Sequence, residues 1–393
     1  MRKHLLLFLL LLLCIKSTFA QQDPDKTTTF KFGGYIKADF LNTWYQNGDV
    51  GASSPLRDFH LPSQIPVGDP IQNFDLDYHV KESRFNFDVK TQLLGKEIHG
   101  FIELDFLLSG GGDEKVSNSF NPRIRHAYFE WDRILIGQTW STFMVVVVPD
   151  EIDFAGAMDG LVFVRQPQVR CKVGNWWFSV ENPETTFTPH QSAGVSITES
   201  EVLPDMVVRK NFQGDWGNWS IAGIYRTLHK RDSVKTSATG FGITTGGKIQ
   251  VGKKDDDVRI MVTYGQGLGR YLSGNFVSSS VLDEGNKLNP ITTFNGYVAY
   301  NHFWVEHKWS SSFSAASFNS FHNEELVEPS INKSSYSLSG NIKWDIVPAL
   351  RLGLEYMYGH RELQNGVDGA FHRLQFAAKY TFGYHNEIAD EKR

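Results

Sequence analysis

From residue 29 to residue 382 apolar and polar side chains alternate with a period of two, and no stretch sustains the spacing of an amphipathic helix. In the run from Phe30 to Phe40 one face carries Phe30, Phe32, Ile36, Ala38 and Phe40, and the other carries Lys31, Tyr35, Lys37 and Asp39. Residues 84–94 repeat the pattern, with Phe85, Phe87, Val89 and Leu93 against Arg84, Asn86, Asp88, Lys90 and Gln92. Near the end, Leu374, Phe376, Ala378, Tyr380 and Phe382 oppose Arg373, Gln375, Lys379 and Thr381. Successive side chains of a strand leave on opposite faces, so these runs predict an all-β chain.

Turn signals divide it into about 16 strands, near 29–45, 82–94, 98–109, 122–132, 133–144, 162–173, 175–185, 205–213, 217–229, 238–251, 257–268, 291–304, 307–319, 334–346, 350–361 and 371–382. The sections 46–81 and 269–290 leave room for a hidden hairpin, so 14 or 18 strands remain open. Short connections such as Gly95-Lys96, Gly174-Asn175 and Pro348-Ala349 alternate with long ones at 46–81, 110–121, 145–161, 186–204, 230–237, 269–290, 320–333 and 362–370. Short turns on one rim and long loops on the other are the pattern of a transmembrane antiparallel β-barrel of the outer membrane, with short turns and both termini in the periplasm. Trp44, Trp131, Trp140, Trp176, Trp219, Trp304 and Trp344 fall near strand ends, where amphipathic rings form the two interfacial girdles. A soluble sandwich would alternate as well, and a secreted carbohydrate-binding β-protein is the alternative of that kind.

The one uninterrupted apolar run, Leu5 to Ile15, is too short for a helical span. Behind Arg2 and Lys3 and ahead of Ser17-Thr18-Phe19-Ala20 it reads as a signal peptide, residues 1–20. A short periplasmic segment, 21–28, then precedes a barrel over 29–382, and 383–393 is expected as a polar tail. The leader removes three basic residues and no acid from 39 basic and 44 acidic ones, which leaves a net charge of −8. That balance does not suit a nucleic-acid binder. Cys14 and Cys171 make neither a disulfide framework nor a CxxC site, and no cofactor or metal is expected.

A barrel of this size has room for an aqueous lumen, and the inward face inferred from alternation is rich in cations, with acids among them. The loop 145–161 mixes apolar residues with Asp150, Glu151 and Asp153, which is unusual for a solvated loop. It is expected to fold into the lumen and narrow it, facing Arg84, Arg123, Arg125, Arg165 and Arg170. The first long loop, with Pro55, Pro62, Pro66 and Pro70, is expected as an external cap reaching toward a neighbouring subunit.

Gly34-Tyr35-Ile36-Lys37, Arg125-His126-Ala127-Tyr128, Gly137-Gln138-Thr139-Trp140-Ser141-Thr142-Phe143, Arg165-Gln166-Pro167-Gln168-Val169-Arg170 and Glu181-Asn182-Pro183-Glu184-Thr185 together resemble the DcaP-like outer-membrane porins over roughly 30–185. The resemblance implies a trimeric barrel in outer-membrane lipid that takes up small anionic solutes, organic acids such as dicarboxylates. It also implies that Arg125, Arg165 and Arg170 attract carboxylates at the constriction; Arg84 joins them through alternation alone. The chain departs from the family in carrying only Gln21 to Thr28 where the family has a longer helical segment before the barrel. Enzyme motifs of the GxSxG, HExxH and P-loop types are missing, and Gly265-Gln266-Gly267-Leu268-Gly269 lacks the spacing of a dinucleotide loop. The sequence therefore predicts a porin for small polar solutes with an anion bias and no enzymatic activity, the alternative being a barrel hydrolase with a rim site.

Overall fold

A computed structural model describes residues 27–108, 117–146, 150–198, 201–231, 235–252 and 256–389. The expected signal peptide, 1–20, and residues 21–26 lie outside them, as does the Val147-Val148-Pro149 part of the loop 145–161. Among the described residues sixteen wall strands close one antiparallel barrel. In chain order they are Thr27–Tyr45, the paired segments Asn73–His79 and Arg84–Leu93, Lys96–Asp105, Arg123–Trp131, Ile134–Trp140, Arg165–Val173, Trp176–Glu181, Asp205–Gly214, Gly217–Arg231, Lys235–Gln250, Asp257–Gln266, Thr292–Val305, Trp309–Phe321, Asn332–Val347, Leu350–Leu363 and Asp368–Ala389. Closure is made by the first and last of these, in register from Thr27↔Ala389 to Tyr45↔Phe371. A closed barrel has no open edge, so every wall strand has its ladder partners without water, as a lipid-embedded sheet requires.

The outward face is the apolar half of the alternation. Ile36, Phe40, Phe87, Val89, Ile102, Ile243, Val298, Leu338 and Leu354 are all exposed on it, a surface that only lipid tails can solvate. Trp44 and Phe74 toward the long-loop rim, and Trp176, Trp304 and the stacked Trp309–Trp344 pair toward the short-turn rim, bracket that band. The protein is thus a multi-pass β-barrel of the bacterial outer membrane, and the soluble sandwich is set aside.

Three boundaries differ from the expectation. The last strand continues to Ala389, past the expected start of a polar tail at 383, because Gly383 to Ala389 pair with Thr27 to Gly33. The second wall strand begins at Asn73 rather than near 82, since Asn73–His79 pairs with the upper half of the first strand and Arg84–Leu93 with its lower half. At the break between the segments the Ser83 hydroxyl oxygen accepts from the Lys37 amide at 3.1 Å, and Glu82 turns toward Lys37 inside the barrel. Gly34, with φ +149°, faces the start of the second segment so closely that a Cβ would lie 1.9 Å from the Arg84 carbonyl oxygen. Finally, parts of the loops expected at 186–204 and 269–290 pair as a separate sheet of four short strands: Thr185–Thr188, Ser196–Thr198, Ser280–Leu282 and Leu288–Pro290.

The barrel interior also holds an apolar core, which strand alternation does not reveal. Phe143, Phe154, Met158, Leu161 and Val162 of the inward loop pack with Phe59 of the first long loop and with Tyr271, Leu272 and Phe276 of the loop after Gln266. The first long loop is therefore no external cap. Its Leu56, Phe59 and Ile65 are buried within its own barrel, and Arg57 ties it to Asp77 at 2.8 Å and Asp75 at 3.1 Å.

Candidate functional site at the constriction

The inward loop crosses the lumen between two walls of different chemistry. On one side Arg84, Arg123 and Arg125 bring their guanidinium groups to 5.6, 5.8 and 5.3 Å from the centre of the Phe154 ring. Arg165 stacks on Trp140 at 4.4 Å and lies 5.8 Å from the ring of Phe163, which itself packs on Phe154. Four arginines thus converge on the Phe154 and Phe163 rings of the loop.

Arg125 arrives there through a defect in the ladder. Glu103 pairs with His126 and Leu104 with Ile124, so Arg125 is the extra residue of a β-bulge. The bulge changes the parity of the strand, and both Arg125 and His126 point inward, buried, beside Arg123. A bulge has no reliable sequence signal, which is why simple alternation does not predict this pair.

The acids on this wall are fewer than the arginines. Arg123 grips Asp105 with two bonds at 2.8 and 2.7 Å, and Arg125 reaches Glu103 at 2.7 Å and Asp105 at 2.9 Å. Among the described residues the one acid within 4 Å of Arg84 is Glu82, at 3.6 Å, and Glu82 also holds Lys37. Arg165 has no acid within 4 Å among the described residues, and its buried Nη1 has no hydrogen-bond partner. The Nε of Arg84 is likewise buried and unpaired. Because an unpaired buried donor is costly, this wall is poised to bind an acceptor. Arg84 and Arg123 each keep about a fifth of their side chains exposed, against 3% for Arg125.

The expectation that Asp150, Glu151 and Asp153 face these arginines is overturned. All three are bound on the opposite wall. Asp150 pairs with Lys343 at 2.8 Å and Arg351 at 3.5 Å; burial pushes its carboxyl up, but the two cations outweigh that and hold it below the usual range. Glu151 accepts from Ser314, from Ser339 at 2.9 Å and from the Ala157 amide at 3.0 Å. Burial, then the neighbouring Glu355 carboxylate, push it up to about 8. Asp153 takes the His60 amide and lies 3.4 Å from Arg373. Glu355, missed as a partner in the sequence, accepts the Ile152 and Asp153 amides at 2.8 and 2.9 Å. Asp150 and Asp153 therefore neutralise Lys343, Arg351 and Arg373, and Glu151 is held by hydroxyls and an amide, which leaves the arginine wall its excess of charge.

Arg170 also departs from its expected place. Its Nε donates to Thr142 at 2.8 Å and its Nη2 to the Trp140 carbonyl at 2.5 Å, and it packs on Trp177. It anchors the root of the inward loop, together with Arg209, which binds the Met144 and Val145 carbonyls. A second anchor also went unread: Tyr271 donates to Asp205 at 2.9 Å, Arg226 donates to the same carboxylate at 3.0 Å, and Gln166 reaches both Tyr271 and Glu181 at 2.5 Å. Among the described residues no group of His, Cys, Asp and Glu side chains is arranged to hold a metal ion.

Residues 65–382 match the family of the DcaP outer membrane protein. The outer membrane channel DcaP of Acinetobacter baumannii is similar in structure, with a TM-score of 0.74 at 23% identity, covering 94% of this chain and 99% of that one. An anion-selective porin from Comamonas acidovorans superposes with a TM-score of 0.54 at 10% identity, over 90% of this chain and 100% of its own. OmpF of Salmonella typhi gives 0.53 at 10% identity, over 89% and 97%. No curated protein matches the chain in sequence.

Proposed function

Since the chain belongs to the DcaP outer membrane protein family and forms an outer-membrane channel, we propose that this channel is biased toward small organic anions, dicarboxylates in particular. One observation carries the reading: Arg165 faces the loop tip with no carboxylate within 4 Å among the described residues, while Asp150, Glu151 and Asp153 are bound away from it. A passing carboxylate supplies the missing acceptor, and a second carboxylate has Arg84 or Arg123 to meet. Lumen cations that retain excess charge raise the local concentration of anions and lower that of cations, which is selectivity without tight binding. A porin of the same architecture is described as anion-selective, in keeping with this reading.

The test is the reversal potential under a salt gradient. Arg165→Ala and Arg84→Ala are expected to move it from the anion side toward zero while the barrel still assembles, as judged by heat-dependent gel mobility. An unchanged potential in both variants contradicts the assignment.

A further inference from the structure

Below the inward loop, toward the short-turn rim, the lumen contains a recess roofed by Asp150, Glu151 and Ile152 and walled by Glu82 and Lys343 and, in one row, by Lys37, Lys379 and Arg351. The three cations of that row stand abreast on adjacent strands. Lys379 is in direct register with Lys37 on one side and with Arg351 on the other, and it lies just inside the Pro348-Ala349 turn. Like charges directly opposite each other across a ladder repel. The flanking two are compensated on their outer sides: Lys37 binds Glu82 and lies 3.1 Å from Asp39, and Arg351 forms a two-bond pair with Asp345 at 2.6 and 2.9 Å. Lys379 has no acid within 4 Å and no hydrogen-bond acceptor among the described residues, although Glu82 and Asp150 line the same recess; its ammonium lies over the Tyr35 ring at 4.6 Å. Arg84 covers the same ring at 5.2 Å, so Tyr35 joins this recess to the arginine wall. Gly353 and Ala377 also line the recess, and Gly353 admits the Ile152 side chain, whose Cδ1 would lie 2.4 Å from a Cβ there.

We infer that Lys379 is the centre of a second anion site, on the periplasmic side of the constriction, which takes a small carboxylate between the Lys37 and Arg351 strands. The inference rests on the anion reading above and adds a position to it: a solute released by the arginine wall has a further cation to occupy before it leaves by the short-turn rim. A bound carboxylate supplies the acceptor Lys379 lacks and relieves the repulsion along the row, as charge-assisted pairs do.

The experiment is block of single-channel current by succinate added separately to the two sides of a planar bilayer, with wild type, Lys379→Met and Lys379→Arg. Losing one charge-assisted contact is expected to weaken block from the short-turn side about tenfold in Lys379→Met. Block from the long-loop side stays as in wild type, and Lys379→Arg restores the lost block. Equal block of wild type and Lys379→Met from the short-turn side overturns the inference and leaves the arginine site standing. Absence of block from both sides in wild type instead overturns the anion reading itself, and this inference with it. Thermal unfolding provides a second readout: succinate raises the melting temperature of wild type more than that of Lys379→Met or Lys379→Gln, in which the arginine wall alone remains to bind it. An equal rise in all three also overturns the assignment.

Discussion

Arg125 and Glu151 owe their surroundings to features that strand alternation and local spacing do not encode. Arg125 faces the lumen because one extra residue sits in the ladder opposite Glu103 and Leu104. Glu151 is held among Ser314, Ser339 and the Ala157 amide beside Glu355, a place where its carboxyl keeps a proton up to about pH 8. Once released into water its affinity for the proton falls back to the ordinary value of 4.5. The docked loop therefore binds a proton that the released loop lacks between these limits, so docking is strongest below about pH 4.5 and weakens as pH rises toward 8. Channel current is expected to become noisier or larger between pH 6 and pH 9, and Glu151→Gln is expected to abolish that dependence. A wild-type current that is flat over this range refutes the proton-held latch. Asp150 works in the opposite sense: with its carboxyl held below 3.8 by Lys343 and Arg351, it adds to docking at neutral pH and loses that contribution only in strong acid.

At the scale of elements, the wall strands were legible because lipid on one side and a wet, charged lumen on the other force strict alternation. Sixteen strands in the expected order follow from that single constraint, even where Asn73–His79 and Arg84–Leu93 are separated by a break. The inward loop was legible as a class, since Ile152, Phe154 and Met158 beside acids suit a buried crossing better than a solvated loop. Its polarity was not. Which wall its acids choose depends on residues 193 to 220 positions away, Lys343, Arg351, Glu355 and Arg373, and no local spacing encodes that pairing. Arg170 failed as a solute contact for a related reason, because the strand places it where the loop root offers Thr142 and the Trp140 carbonyl. Phe154 is the part of the loop that covers the arginines, within 6 Å of three of them. Phe154→Ala is expected to uncover them, raising single-channel conductance and strengthening anion preference, at a stability cost of about 3 kcal/mol for the buried ring. An unchanged conductance in a folded variant means that the solute path runs elsewhere.

At the scale of the whole molecule, barrel closure provides a rigid wall, and the long loops turn into it rather than away from it. Phe59, Phe143, Phe154, Tyr271 and Phe276 give the interior an apolar core of its own, so loops from distant parts of the chain stabilise one another around the constriction. The family resemblance implies a homotrimer. Native mass spectrometry in mild detergent is expected to give three times the chain mass, and a single-chain mass contradicts it. The central claim is an anion-leaning lumen, and its most direct test is single-channel recording of the purified mature protein in a planar bilayer under a salt gradient, with succinate added to one side. Stepwise openings with an anion-side reversal potential and succinate-dependent block are the predicted result. Openings with a cation-side potential and no response to succinate would contradict it.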